Sequence, residues 1–247
     1  MHENWSRTPR QQLRRACVES VLDGLKPGTF LELGAGNGDF TAMLLERGFR
    51  GACFDIGEET IRHLNRRFSA QRDLLRVISD FDEISGQKFD YVFAFEVLEH
   101  VQNDRETLGT WLRFLGPEGA ILLSVPAHQR KYSIEDQIVG HYRRYERTEL
   151  IQLLEACGVK NVRVLTYGFP LANLSRGVSI LLSSREKQQL EKTAQERSIA
   201  SGITRHWLVN KLRFLANDLL LWPFLKLQSK FYPFDIGDGY VAYGEIA

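Results

Sequence analysis

Glycine occupies every second position in Gly34-Ala35-Gly36-Asn37-Gly38, directly after the apolar run Phe30-Leu31-Glu32-Leu33 and directly before an amphipathic segment. A buried strand must here deliver the backbone into a turn too tight for side chains, where a ligand can lie against the main chain. The spacing is Gly-x-Gly-x-Gly, and Asp39 stands where the dinucleotide fingerprint needs its third glycine. A carboxylate beside a helix N-terminus serves a pyrophosphate poorly, which weakens a nicotinamide oxidoreductase. A nucleoside with a cationic or zwitterionic tail and no phosphate suits this loop better.

Around the loop, strand and helix patterns alternate. Helical segments are expected over 10–25, 41–47, 58–70, 104–115 and 147–157, and strands over 29–33, 51–56, 75–79, 89–95 and 120–125. Short connections and buried strands argue for a parallel sheet covered by helices on both faces. Regularity lapses after Pro126 until the helix at 147. A sixth strand is expected at 161–167 and a last one at 239–246. Between them lies an insertion without strand signal, with helices near 171–183 and 184–198 and a Trp-, Leu- and Phe-rich stretch at 206–232.

A chain of 247 residues can bury one large core, or a core plus a lid. Its net charge of +1 gives no global footprint for DNA. Cys17, Cys53 and Cys157 are far apart and in no Cys-x-x-Cys spacing, so a reducing, cytoplasmic setting is expected. The first residues lack a secretory pattern, and the apolar runs fall short of the roughly 20 residues that span a bilayer.

Ligands of parallel sheets bind beyond the C-terminal strand ends, and the residues expected there form a coherent set. Gly34, Gly36 and Gly38 follow the first strand. Asp55 ends the second, where an acid can accept both hydroxyls of a ribose. Asp80-Phe81 follows the third, offering a carboxylate for an exocyclic amine and an aromatic edge for a purine; the alternative for Asp80 is a helix N-cap. Phe95-Glu96-Val97-Leu98 follows the fourth. Together they describe an adenosine pocket without a phosphate site.

These segments resemble class I S-adenosylmethionine-dependent methyltransferases of the small-molecule type, including ubiquinone-pathway and natural-product O-methyltransferases. The matching pieces are 31–38, Phe54-Asp55-Ile56-Gly57, Ser79-Asp80-Phe81 and 89–101, in family order over roughly 25–170. The resemblance implies a Rossmann-like, doubly wound sheet of seven strands, mostly parallel with the last antiparallel, in one domain over 1–247. The insertion before the last strand is expected to form a helical lid at 170–235. S-adenosylmethionine is the implied cofactor and S-adenosylhomocysteine its product. Glu32, Gly34, Ala35, Gly36, Asn37 and Gly38 would hold the methionine end, Asp55 and Ile56 the ribose, and Asp80 and Phe81 the adenine, with Phe95 and Glu96 completing the pocket.

Methyl transfer requires in-line alignment and exclusion of water, and a base only where the nucleophile must lose a proton. Phe95-Glu96-Val97-Leu98 stands where enzymes acting on exocyclic base amines carry an Asn-Pro-Pro-Tyr-like sequence. His141 and His128 are candidate bases. Tyr132, Tyr142, Arg143 and Arg144 are candidate acceptor contacts, the arginines suiting an anionic group. Glu96, Glu99, His100 and His141 match a divalent-metal set of ubiquinone-pathway and small-RNA 2′-O-methyltransferases, although many metal-free relatives share the pattern, and no metal is the expectation. The stretch 206–232 reads as a lid over an apolar pocket, a homodimer interface, or a peripheral membrane helix. The expected reaction is methylation of a hydroxyl or carboxyl oxygen of a hydrophobic small molecule. The alternatives are an RNA 2′-O-methyltransferase with a metal, and a non-catalytic cofactor-binding scaffold.

Overall fold

The computed structural model describes residues 8–173 and 218–246. Its strands are β1 (Thr29–Leu33), β2 (Arg50–Phe54), β3 (Leu75–Ile78), β4 (Phe89–Phe95), β5 (Leu115–Pro126), β6 (Lys160–Tyr167) and β7 (Gly239–Glu245). They form one sheet in the order β3-β2-β1-β4-β5-β7-β6. Every pairing up to β5 is parallel, and β7 runs antiparallel between β5 and β6. The expected doubly wound, mostly parallel sheet with an antiparallel last strand is therefore present. Chain order reverses between β1 and β4, which opens a crevice at their C-terminal ends.

The helices are α1 (Pro9–Leu22), α2 (Asp39–Glu46), α3 (Glu58–Arg67), α4 (Asp104–Leu112), α5 (Ile134–Val139), α6 (Arg147–Ala156) and α7 (Asp218–Ser229). Thr8 and Gln11 form a capping box with Pro9 in the first turn, which fixes where α1 begins. Successive β4 residues face opposite layers. Val92 and Ala94 join Leu31, Leu98, Trp111 and Ile121 on one side. Phe93 and Phe95 join Cys17, Phe30, Leu44 and Leu122 on the other. Burial on both faces is why β4 reads as a continuous apolar run rather than an alternating one.

Two segments differ from the sequence expectation. β5 starts at Leu115 rather than Ala120, because residues 116–119 bulge between the pairs Phe89–Leu115 and Tyr91–Ala120. The stretch after Pro126 contains α5, which starts at a Ser133–Asp136 capping box and stops at left-handed Gly140. A helix of 6 residues is too short to show periodicity.

Most of the expected helix near 171–183, all of that near 184–198, and residues 206–217 of the aromatic stretch lie outside the described residues. Within the described part, α7 packs on α1. The buried Gln228 side chain donates to the Leu13 carbonyl at 2.8 Å and accepts from Gly168 N at 3.1 Å. Trp222, Leu227, Phe234 and Ile236 are exposed. Among the described residues, no helix is long and apolar enough to cross a membrane.

Candidate active site

The glycine turn leaves β1 with left-handed backbone at Gly34, Gly36 and Gly38. A β-carbon on Gly34 would lie 2.6 Å from Val97 Cγ2, so glycine is required by both torsion and space. Asp55, just beyond β2, accepts from Gly36 N at 2.9 Å and from Gly57 N at 3.0 Å. One carboxylate thus ties the glycine loop to the next strand end and keeps lone pairs for further donors. Arg67 donates to the Asn37 carbonyl and lies 3.3 Å from Asp39, closing the loop from below. Ala35 is buried within this turn.

Glu32 is buried under the loop and accepts from Thr41 Oγ1 at 2.5 Å. Burial pushes its carboxyl up to about 8. Beside Asp55, Ile56 is 53 % exposed, an apolar group with no cover at the pocket rim. Asp80 caps the short helical turn that follows it, accepting from Asp82 N at 2.9 Å, so the N-cap reading of this residue is realised. Phe81 stacks on Phe54 at 4.3 Å between ring centroids. Phe95 stacks on Phe40 at 4.2 Å, and Arg14 covers the same Phe40 ring at 5.3 Å.

Glu96 adopts a left-handed backbone with φ of 59°. Tyr167 donates to its carboxylate at 2.9 Å, and Arg10 and Arg14 of α1 lie 3.6 Å and 3.5 Å from it. Burial alone would raise this acid, but the two guanidiniums outweigh it and hold it at about 2. The sequence reading missed both arginines. In α1 they belong to a row of arginines opposite the apolar face, indistinguishable from a solvated surface until Glu96 is brought against them.

The second group of residues follows Glu96. Glu99 is fully buried, with neither carboxylate oxygen hydrogen-bonded. Burial, with Glu96 nearby, pushes it well above the usual carboxylate range. The His100 and His141 rings meet edge-on at 4.7 Å. His141 Nε2 lies 3.7 Å from Glu99, and its Nδ1 lies 2.9 Å from Asp136. Burial and the neighbouring His141 lower His100 to about 3, so it stays neutral. Glu99, His100 and His141 offer ligand atoms all within 4.8 Å of one another. Glu96 does not join them as the four-residue set requires, because its carboxylate is directed to Arg10, Arg14 and Tyr167.

Several expected acceptor contacts have other partners. Arg144 is buried and ion-paired with Asp136 at 2.9 Å and Asp238 at 3.5 Å, so it braces the interior and is not an open anion receptor. Arg143 is engaged by Asp104 at 2.6 Å and by the Gln102 carbonyl. Tyr132 donates to the His141 carbonyl at 2.8 Å, while Tyr142 is exposed. His128 is buried at the β5–β7 junction, 3.3 Å from Glu146 and 3.5 Å from the Tyr240 hydroxyl, and lies outside the Glu99–His100–His141 group. Both candidate bases are thus buried beside acids, His141 with Glu99 and Asp136, and His128 with Glu146 and Asp235.

A methyltransferase-domain family profile matches residues 5–164 of this chain. The chain belongs to the S-adenosylmethionine-dependent methyltransferases. The Bacillus subtilis protein YqeM, whose designation as a methyltransferase is provisional, is 29 % identical over 104 residues. That match spans 40 % of this chain and 42 % of YqeM, less than half of its length. A ubiquinone biosynthesis O-methyltransferase of Idiomarina loihiensis is 22 % identical over 172 residues, 62 % of this chain and 70 % of the relative. Among solved structures, the Haemonchus contortus phosphoethanolamine N-methyltransferase 2 with bound S-adenosylmethionine superposes with a TM-score of 0.58. It is 15 % identical, and the match covers 94 % of this chain and 52 % of that one. At such identity the likeness concerns the fold.

Proposed function

We propose that this methyltransferase transfers the methyl group of S-adenosylmethionine to a hydroxyl or carboxyl oxygen of a hydrophobic small molecule, with His141 removing the acceptor's proton. The reading is carried by His141. Its Nδ1 is held by Asp136, and its Nε2 faces a buried cluster that follows the C-terminal end of β4. Val97, in that same connection, packs against Gly34 of the glycine loop, which supports a proton acceptor near the cofactor crevice.

The methionine end of the cofactor would lie over Gly34–Gly38. Its ammonium would approach Glu32, and its carboxylate would be drawn to Arg14 and Arg10, whose Nε and Nη2 respectively lack hydrogen-bond partners. Asp55 would take the ribose hydroxyls. Ile56, Asp80 and Phe81 would border the adenine, and Phe95 would wall the crevice. The sulfonium is already electrophilic, so the chain contributes alignment, exclusion of water and proton removal.

A hydrophobic acceptor is supported by Phe234 and Ile236. Both are exposed and immediately precede β7, whose first residues pair with the C-terminal ends of β5 and β6. They therefore stand at the same sheet edge as the crevice. Tyr142, exposed beside His141, would add an aromatic contact. With radiolabelled S-adenosylmethionine and a panel of phenols, catechols and long-chain carboxylic acids, methyl ethers or esters are expected. Transfer confined to amines would overturn the choice of oxygen.

One observation favours a second reading, metal-assisted transfer as in an RNA 2′-O-methyltransferase. Both Glu99 oxygens and His100 Nδ1 lack partners beside His141 Nε2, and this set of carboxylate and imidazole donors fits a divalent cation. Glu99, His100 and His141 would hold it, and a cation there would lower the pKa of the acceptor oxygen. Under the base reading, chelator treatment leaves turnover unchanged on the small-molecule panel. Loss of activity restored by magnesium, manganese or cobalt, with RNA 3′ ends as better acceptors, would transfer the assignment to the second reading.

A further inference from the structure

We infer that Asp136 is a positioning residue, which fixes His141 as the Nδ1–H tautomer so that its Nε2 lone pair is directed at the acceptor. The inference rests on the proposed role of His141 and adds a residue to which the sequence motifs give no chemistry. Asp136 occupies the third position of α5, whose capping box directs its carboxylate. Oδ2 accepts from Ser133 N at 2.8 Å and from Ser133 Oγ at 3.2 Å. Oδ1 receives Arg144 Nε at 2.9 Å and lies 2.9 Å from His141 Nδ1.

The backbone fixes the same pair, because His141 N donates to the Asp136 carbonyl at 2.8 Å across the left-handed Gly140. Arg144 is itself locked, buried between Asp136 and Asp238 and donating to the Ala127 carbonyl at 3.3 Å. Ser133 N, Ser133 Oγ and Arg144 are donors toward this carboxylate, and an ionised carboxylate only accepts. His141 must therefore present its own N–H at Nδ1, which leaves Nε2 as the acceptor nitrogen facing Glu99 and His100. A carboxylate on the far nitrogen is the usual device for setting an imidazole's tautomer, whether the near nitrogen takes a proton or binds a cation.

Asparagine at 136 changes that balance. Its amide nitrogen needs an acceptor, and on the Oδ1 side, where Arg144 only donates, His141 can become one by moving its proton to Nε2. The direct test is ¹⁵N NMR of ¹⁵N-histidine-labelled full-length protein about two pH units above the ordinary imidazole pKa. His141→Gln identifies the resonances. A protonated Nδ1 and a bare Nε2 at His141 are expected in the wild type, and Asp136→Asn should exchange them. In the transfer assay Asp136→Asn should lower kcat by about 10- to 100-fold, leave S-adenosylhomocysteine affinity unchanged, and be partly rescued by Asp136→Glu.

A wild-type His141 carrying its proton on Nε2 overturns the inference, and this measurement needs no known acceptor. A correct tautomer with full activity in both His141→Gln and Asp136→Asn would refute the proposed role of His141 instead.

Discussion

His141→Gln is expected to lower kcat by about 10²- to 10⁴-fold, the range typical for loss of a positioned proton acceptor. S-adenosylhomocysteine affinity should stay the same, because His141 lies in the 126–145 segment rather than against the glycine loop. The side chain is nearly buried and contacts Asp136 and His100, so thermal melting must accompany the kinetics. Glutamine keeps a polar group at that place and limits the packing loss. The prediction is read as a fall in kcat at constant cofactor Kd with a native-like melting curve. Undiminished turnover would show that the acceptor reaches the sulfonium without help from His141.

Asp55→Ala is expected to weaken S-adenosylhomocysteine binding by on the order of 100-fold or more. Its carboxylate accepts from Gly36 N and Gly57 N, and in the proposed complex it also accepts the ribose hydroxyls. Hydrogen bonds to a charged group are worth about 1.5–3 kcal/mol each, and every 1.4 kcal/mol is about tenfold in affinity. Two such bonds therefore set the lower limit. Asp55→Asn keeps one acceptor oxygen and should fall between wild type and alanine. Isothermal calorimetry on all three proteins checks the order. Equal affinity across the series would remove the ribose from Asp55.

Both predictions depend on features of different legibility. Asp55 was legible as an acid at the end of a parallel strand about 20 residues after a glycine turn, the place from which a ribose contact is expected. Its added task of fastening Gly36 was not readable, since it depends on where two strand ends meet. Asp80 read first as an adenine contact and alternatively as a helix N-cap, and in the fold it caps. Arg143 and Arg144 read as an anion receptor because a guanidinium matches a carboxylate or phosphate, with a solvated pair beside tyrosines as the alternative. The fold gives them Asp104 on one side and Asp136 with Asp238 on the other. The metal-like spacing of Glu96, Glu99 and His100 suggested a shared focus. The left-handed turn at Glu96 divides it, sending one acid to α1 and the other toward His141.

The sequence alone determined the sheet and the position of the glycine turn at the crevice between β1 and β4. Those depend on local signals: glycines where a Cβ has no room, apolar runs buried on both faces, and an acid at a strand end. Only the tertiary structure decided which charges face one another. Arg14 and Glu96, or Asp136 and Arg144, are paired by the packing of α1 and of the α5 segment against the sheet edge. A charged side chain on its own carries no record of the partner that burial will require it to find.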